Sequence, residues 1–273
     1  MSDLDLSVAG DDDRWMLLER VSAENLSLIV RSRINPTVTS FAAAHGVVAV
    51  ICDVLPQHVR DDGFPSCLDD LHALEDTIIA TIANSGVPAF HTASATGDGR
   101  RVLYVAADTD LDLAAILSTI PSDVALLSEF SDLDFDVYQD FVSPTKLDTQ
   151  FNGDRGVMAS LAEQGDDGAI PRKIDFWLYG ERQGLDQAVK RLLGVGFAVD
   201  HWLEDPFGVV LTIESSADMT SFRDLTPLLL ETAEEFGVVY DGWETFVVGA
   251  EVSRPPTSAK PSLWGRLLGQ KKN

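Results

Sequence analysis

The chain has 273 residues, of which 45% are hydrophobic, so it can bury an ordinary core and is long enough for one domain or two. It carries 44 acidic against 20 basic side chains, a formal net charge of −24. A field of this sign repels nucleic acid and anionic lipid and attracts basic surfaces, which disfavours direct binding of RNA or DNA.

The N-terminus and the cysteines indicate a cytoplasmic protein. Residues 1–13 end in three aspartates and predict a disordered acidic lead that lacks the apolar segment of a secretory signal. No apolar run approaches the ~18 residues of a membrane span. Cys52 and Cys67 do not suggest a disulfide framework, which fits a reducing compartment.

Residues 14–146 predict an N-terminal α+β domain. Two β-like runs open it, and the pattern then becomes βαββαβ, with a hairpin turn at Asp98-Gly99. The charged segment 131–140 is interpreted as the connection to the next domain. The expected strands are 15–21, 26–34, 47–55, 87–95, 102–107 and 124–130, and the expected helices are 67–83 and 111–119.

Residues 151–249 predict a second domain of βαββαβ order, preceded by an extra helix at 155–164. Pro227 should lie in the first turns of the last helix, because further in it would break the hydrogen-bond ladder. The fold prediction is α+β, with two tandem ferredoxin-like sandwiches built on antiparallel sheets. The expected strands here are 173–179, 197–203, 208–214 and 239–248, and the expected helices are 185–193 and about 221–236.

Residues 250–273 predict a Pro-rich linker and a basic amphipathic tail. They hold five basic residues against a single acidic one, Glu251, in a chain that is otherwise strongly acidic. Such a tail either folds back on the acidic body of its own chain or docks on a partner or an anionic surface.

The second sheet should leave one face free of helices, because its two helices cover only the other face and side chains alternate along each strand. This alternation places Trp177 and Trp202 on the free face among carboxylates, where aromatic anchors suit a basic protein segment. Alternatively, the extra helix or the first domain covers these aromatics, and Trp243 fills the core. His201 alternates with core positions, which predicts a satisfied interior side chain. The candidate partner-binding residues are Asp166, Asp167, Asp175, Trp177, Tyr179, Asp200, Trp202, Asp241, Trp243 and Glu244.

The sequence shows no constellation that would carry catalysis. It has no phosphate-binding loop and no nucleophile elbow, and Gly194-Val195-Gly196 follows a helix rather than opening one. The acidic run 132–143 lacks the glycine and the final glutamate of a calcium loop, and the histidines and cysteines lack the spacing of a zinc site. We therefore expect no catalytic residue, no metal and no cofactor.

Three segments of the second domain together resemble a known family. They are Asp154-Arg155-Gly156-Val157-Met158, Pro171-Arg172-Lys173-Ile174-Asp175 and Tyr240-Asp241-Gly242-Trp243-Glu244-Thr245. Their order resembles the ribonuclease E regulator B (RraB) family, small acidic proteins that act by binding a protein. The resemblance implies binding to ribonuclease E, through its arginine-rich region outside the catalytic domain, and restraint of RNA decay. Residues 134–144 are similar to the end of a domain family of unknown function that is often joined to RraB-like units.

The sequence thus predicts a non-enzymatic regulator that binds ribonuclease E or another basic RNA-processing protein, through the acidic sheet face and the Asp166-Asp167 loop. One alternative is a structural or oligomerisation module, in which the sheet aromatics are buried against a second subunit or against the first domain. Another is a small-molecule sensor that uses a cleft between the two domains.

Overall fold

The computed structural model describes residues 13–131 and 133–248, and every structural statement below refers to these residues. The chain divides into two compact units, Met1–Asp148 and Thr149–Asn273, called unit 1 and unit 2. Apart from Asp13, the acidic lead lies outside the described residues, and so does the whole basic tail at 250–273.

Unit 1 contains a six-stranded sheet in which every neighbouring pair is antiparallel, in the order β1-β2-β4-β5-β3-β6. The run β3-α2-β4-β5-α3-β6 is a ferredoxin-like βαββαβ unit, and the β1-β2 hairpin extends its sheet beyond β4. The elements are β1 Arg14–Val21, β2 Ser27–Ile34, α1 Pro36–His45, β3 Val47–Val54, α2 Leu68–Asn84, β4 Ala89–Gly97, β5 Arg100–Ala107, α3 Leu113–Ser118, β6 Ala125–Phe130 and α4 Phe135–Val142.

Both faces of the unit 1 sheet are covered by helices. On one face, α2 and α3 pack on a core that includes Val50 and Leu103, both fully buried. On the other face, α1 and α4 pack on a second core around Leu18 and Val30, also fully buried. Consecutive strand residues such as Val105 and Ala106 belong to opposite cores and are both buried, so this sheet has no free face.

Two helices of unit 1, α1 and α4, were not predicted: the segment of α1 was left without an assignment, and that of α4 was interpreted as a connection. Asn35 caps α1 by accepting hydrogen bonds from the backbone N–H groups of Thr37 (2.9 Å) and Val38 (3.1 Å), and Pro36 occupies the first helical position. Asp134 caps α4 in the same way. Capping residues were therefore present in the sequence at both sites and indicated helices.

Unit 2 contains a four-stranded antiparallel sheet in the order β10-β7-β9-β8, the arrangement of a ferredoxin-like βαββαβ fold. The prediction of an α+β fold with two antiparallel sheets is confirmed. The elements are α5 Lys146–Ala162, β7 Arg172–Tyr179, α6 Arg182–Leu193, β8 Ala198–Glu204, β9 Phe207–Ser215, α7 Met219–Phe236 and β10 Val239–Thr245.

The helices of unit 2 pack on a single face of this sheet. Its core holds Ile174, Phe176 and Leu178 of β7, each with no exposed surface, together with buried residues of α6 and α7. The extra helix α5 is longer than predicted, and its Leu161 joins the same core. Alternation of side chains on β7 thus separates a buried side from a free one.

Pro227 lies in the middle of α7, eight residues after its start, so the prediction that it occupies the first turns is wrong. The helix continues through it because apolar residues on both sides, including Phe222 and Leu229, are fully buried in the core. Burial of two large side chains stabilises by several kcal/mol. That is comparable with the ~3 kcal/mol cost of an internal proline.

Candidate functional site

The second face of the unit 2 sheet is covered by none of the described helices of that unit. Asp175, Trp177 and Tyr179 on β7 lie on it and are half-buried, as the alternation of side chains predicted. We call this surface the open face. The side chains assigned to it by strand register are Lys173, Asp175, Trp177 and Tyr179 of β7, Val210, Thr212 and Glu214 of β9, Asp200 and His201 of β8, and Asp241 and Glu244 of β10.

Aromatic rings form the centre of the open face. Trp177, Val210 and His201 stand in one cross-strand row, with the Trp177 and His201 ring centroids 6.3 Å apart and the rings perpendicular. Val210 is buried between them. In the next row, a Cβ atom at Gly208 would come within 2.7 Å of the Tyr179 ring, so the glycine allows this ring to lie against the strand.

Carboxylates surround these rings, and one lysine neutralises only part of their charge. Lys173 Nζ lies 3.1 Å from Asp175 and 2.6 Å from Asp200. The hydrogen bond from Lys173, with a second from His201, lowers the pKa of Asp200. No ion pair among the described residues involves Asp241 or Glu244.

Partial burial and neighbouring negative charge change the pKa values at the β10 edge. Partial burial raises the pKa of Asp241, and it raises that of Glu244 with a further contribution from the charge on Asp175. Tyr179 responds in the same direction, since burial and the charges of Asp241 and Glu244 raise its pKa. The potential at this edge is therefore negative, and a cation would be attracted to it.

The prediction that Trp202 lies on the open face is wrong, because β8 contains a bulge. Val199 pairs with Leu211, but Trp202 pairs with Val209, so the register shifts by one residue at Asp200. This shift transfers Trp202 to the helix-covered side. There its ring stacks on Phe207 and lies 4.6 Å from the Arg182 guanidinium.

The same bulge overturns the expectation for His201, which is not an interior side chain. His201 pairs with Val210 and is half exposed on the open face, where its Nδ1 lies 2.8 Å from Asp200. The local sequence contains no glycine or other typical bulge signal at this point. Simple alternation from Phe197 therefore assigned every residue after Asp200 to the wrong side.

Asp166 is also corrected, because it lies in a buried ion pair rather than in an exposed loop. Arg172 binds both of its carboxylate oxygens, and Asp166 accepts a further hydrogen bond from Val248 N at 2.7 Å. These contacts, the Arg172 hydrogen bond foremost, lower the pKa of Asp166 to about 2. The neighbouring Asp167 is exposed and accepts a hydrogen bond from Ala169 N.

Trp243 is buried in the core and does not contact the open face. A register shift between Tyr240 and Trp243, where Gly242 has φ +104°, turns both aromatics toward the helices. The Trp243 indole donates to Asp154 at 2.9 Å and packs on Phe222 with ring centroids 4.4 Å apart.

Asp154 was missed by sequence reasoning as a structural residue. It is completely buried on α5 and also accepts a hydrogen bond from Thr226 at 2.7 Å. Burial raises its pKa. It connects α5, α7 and β10 of unit 2, and only its place in the segment that resembles a known family pointed to it.

Unit 1 buries a separate set of charged groups that are satisfied by one another. Glu75 and Arg101 form a buried ion pair at 2.6 Å, and Ser94 donates to Glu75 at 2.8 Å. His91 lies beside them, 2.8 Å from Ser94, and burial lowers its pKa to about 4. Because these groups pair internally, the cluster is explained as part of the core.

Other features of the described residues that could mark a site are a cavity, two cysteines and the acidic side chains. A cavity of about 380 Å³ lies within unit 1, where Arg33 is held by Asp13 at 2.7 Å. Cys52 and Cys67 are free and buried, and burial raises the pKa of Cys52 to about 12.

Within residues 13–131 and 133–248, no group of three His, Cys, Asp or Glu side chains is arranged to hold a metal ion. None of the helices in these ranges combines the length and apolar character needed to cross a membrane.

Fold and surface together define a class of protein: a ferredoxin-like module whose free sheet face carries aromatics among carboxylates. A family model described as "Regulator of ribonuclease activity B" matches residues 152–245, which supports the resemblance of the second domain to the RraB family. The match covers about a third of the chain and lies within unit 2. No curated protein matches the chain. The resemblance of the first domain to a family of unknown function stays a prediction.

Proposed function

We propose that unit 2 is a non-enzymatic regulatory module that binds a basic protein segment through the open face. Its partner is ribonuclease E or another basic RNA-processing protein, and binding modulates RNA decay. The observation that carries the proposal is the open face itself, where Trp177 and Tyr179 lie among Asp175, Asp241 and Glu244 in a unit that matches a family of ribonuclease regulators.

Within this chain, arginine guanidinium groups stack on tryptophan rings, which supports an arginine-rich partner. The Arg31 guanidinium lies 4.3 Å from the Trp15 ring centroid, and Arg182 lies 4.6 Å from that of Trp202. No described cation stacks on Trp177, although carboxylates lie on both sides of it. An incoming arginine could therefore stack on this indole and pair with a neighbouring carboxylate, a combination worth ~0.5–2 kcal/mol from the cation–π contact alone.

Two polar atoms of the open face also lack partners. Trp177 Nε1 and Thr212 Oγ1 are buried, and neither has a hydrogen-bond partner within the described ranges. A buried polar group in this state costs roughly 1–3 kcal/mol. A docked segment that brings backbone carbonyl or amide groups, and displaces the atoms that shield these two, would recover part of that cost.

Direct recognition of RNA by this face is disfavoured on electrostatic grounds. RNA readers with the same order of elements stack bases on sheet aromatics, but they surround them with basic groups. Here β9 offers Val210, Thr212 and Glu214 to the face, and residues 149–248 hold 18 acidic against seven basic side chains. Phosphates would be repelled across the ~8 Å over which charges interact at physiological salt.

The proposal is tested by binding of the purified full chain to the arginine-rich region of ribonuclease E, measured by calorimetry at low and high salt. Trp177→Ala should weaken binding by about tenfold or more, as expected for a central aromatic anchor. The matched control is Glu231→Gln with Glu234→Gln, which removes two exposed charges of α7 on the opposite side of the unit. Absence of binding, or equal loss in the control, would refute the proposal.

A further inference from the structure

The end of the described chain leaves unit 2 at the β10 edge of its sheet. β10 is an edge strand next to β7, and Thr245 at its end donates a hydrogen bond to Lys173 O at 2.7 Å. The following segment is fixed by the buried pair described above, since Arg172 binds Phe246 O and Asp166 accepts from Val248 N. Arg172 shares its side of β7 with Ile174, so the chain continues from the β10 edge on the helix-covered side. The open face, with Lys173 and Asp175, begins across that edge.

The sequence that continues from this point is complementary to the open face. Residues 250–273 carry Arg254, Lys260, Arg266, Lys271 and Lys272 against Glu251, a formal charge of +4, whereas residues 149–248 carry −11. The same segment holds Leu263, Trp264, Leu267 and Leu268, apolar side chains that match the aromatic centre of the face. The segment therefore combines positive charge with apolar side chains, the two properties that the proposed function requires of a partner.

The C-terminal segment is long enough to reach every strand of the open face. Three inter-strand spacings of ~4.8 Å separate the edges of a four-stranded sheet, about 14 Å in all. The 25 residues after Val248 span up to about 80 Å when extended. A covalently attached segment acts at an effective concentration in the millimolar range, so even weak intrinsic affinity leaves it largely bound.

We infer that the basic C-terminal segment, residues 250–273, docks on the open face of its own chain and competes there with the basic protein partner. The inference rests on the proposed function for its regulatory meaning. A partner must displace the segment, so its apparent affinity is lowered by the fraction of chains in which the face is occupied. The net effect is autoinhibition, which weakens as salt screens the attraction.

The test uses a fluorescein-labelled peptide of sequence 250–273, with binding followed by anisotropy. The full chain is compared with a chain that ends at Val248. We expect the shortened chain to bind the peptide at least fivefold more tightly, because its open face is unoccupied, and to lose affinity as salt rises. Equal affinity of the two chains would overturn the inference.

Location of the site is tested in the shortened chain by Asp175→Asn with Glu244→Gln. This pair should weaken peptide binding at least fivefold, whereas the control pair Glu231→Gln with Glu234→Gln should change it less than twofold. Equal losses would show attraction by net charge alone and would overturn the inference. Binding of the peptide to vesicles rich in anionic lipid, but not to the shortened chain, would overturn it as well.

A second probe separates this inference from the proposed function. The arginine-rich region of ribonuclease E is titrated into both chains. If it binds both equally, autoinhibition is refuted while the proposed function stands. If it binds neither, yet the shortened chain takes up the 250–273 peptide at the open face, the proposed function is refuted while docking of the segment stands.

Discussion

The two sheets of this protein have related ferredoxin-like topologies but differ in how many of their faces are covered. In unit 1, α2 and α3 cover one face, and α1 and α4 cover the other. In unit 2, α5, α6 and α7 all contribute to a core on one face. The comparison shows that a βαββαβ unit provides helices for only one side, and that a second layer requires helices from outside it.

The two units also differ in how their polar side chains are satisfied. In unit 1, buried charged groups such as Glu75 and Arg101 bind one another at 2.6 Å and complete the core. On the open face of unit 2, Asp241 and Glu244 have no ionic partner among the described residues, and Trp177 Nε1 has no acceptor. Groups satisfied within the chain explain stability, whereas groups without partners suggest a surface that awaits one.

The largest expected effect comes from neighbouring residues on opposite faces of β7. Phe176 is fully buried, and Phe176→Ala should destabilise unit 2 by ~3–5 kcal/mol through lost burial and the cavity left behind. Trp177→Ala should cost ~1–2 kcal/mol, since its ring is half-buried on a face without helices. Urea denaturation followed by circular dichroism measures both. Similar costs would indicate that the open face is covered after all.

A smaller effect is expected at the ion pair that fixes the end of β10. Because Asp166 has its pKa lowered to about 2, its interactions stabilise the fold above the ordinary aspartate pKa and lose that contribution as pH falls toward 2. Asp166→Asn should therefore destabilise by roughly 2 kcal/mol at pH 7, and the difference from the unmodified chain should shrink between about pH 4 and 2. Denaturation at several pH values tests this, and a constant difference would contradict it.

Alternation along strands was enough to predict the α+β fold and the open position of Asp175, Trp177 and Tyr179. It failed at Trp202 and His201, because a single inserted residue at Asp200 reverses every later assignment and has no local signature. At Trp243 the sequence left a partner-binding and a core position open, and the structure shows the core position, with Gly242 as a visible sign of the bulge.

Some helices could be predicted from local sequence signals, whereas others depend on tertiary packing. The caps Asn35 and Asp134 are local signals for α1 and α4, and both helices could have been predicted from them. Pro227 within α7 could not, since its tolerance depends on packing against the rest of unit 2. The Arg172 partner of Asp166 and the Thr226 and Trp243 partners of Asp154 likewise lie on other elements, and no spacing rule finds them.

A loss of stability of intermediate size is expected at the bulge in β10. Gly242 has φ +104°, a conformation that side chains other than glycine adopt only under strain, and an added Cβ atom would have only Gln150 within 4 Å, at 3.8 Å. Gly242→Ala should therefore cost ~1–2 kcal/mol through backbone strain rather than through a clash. Thermal unfolding monitored by calorimetry checks it. An unchanged melting temperature would mean that the bulge is not required in unit 2.

The smallest effect on stability is expected on the open face itself. The pKa of Glu244 is raised by partial burial and by the negative charge of Asp175, so ionisation of this carboxyl is less favourable in the folded chain than in the unfolded chain. Glu244→Gln removes this repulsion and should change the free energy of unfolding by no more than about 0.5 kcal/mol, in the stabilising direction. If it is instead strongly destabilising, as chemical denaturation at pH 7 would show, Glu244 has a structural partner. A neutral or stabilising result would mean that Glu244 contributes nothing to folding, which would agree with the proposed role of the open face in binding.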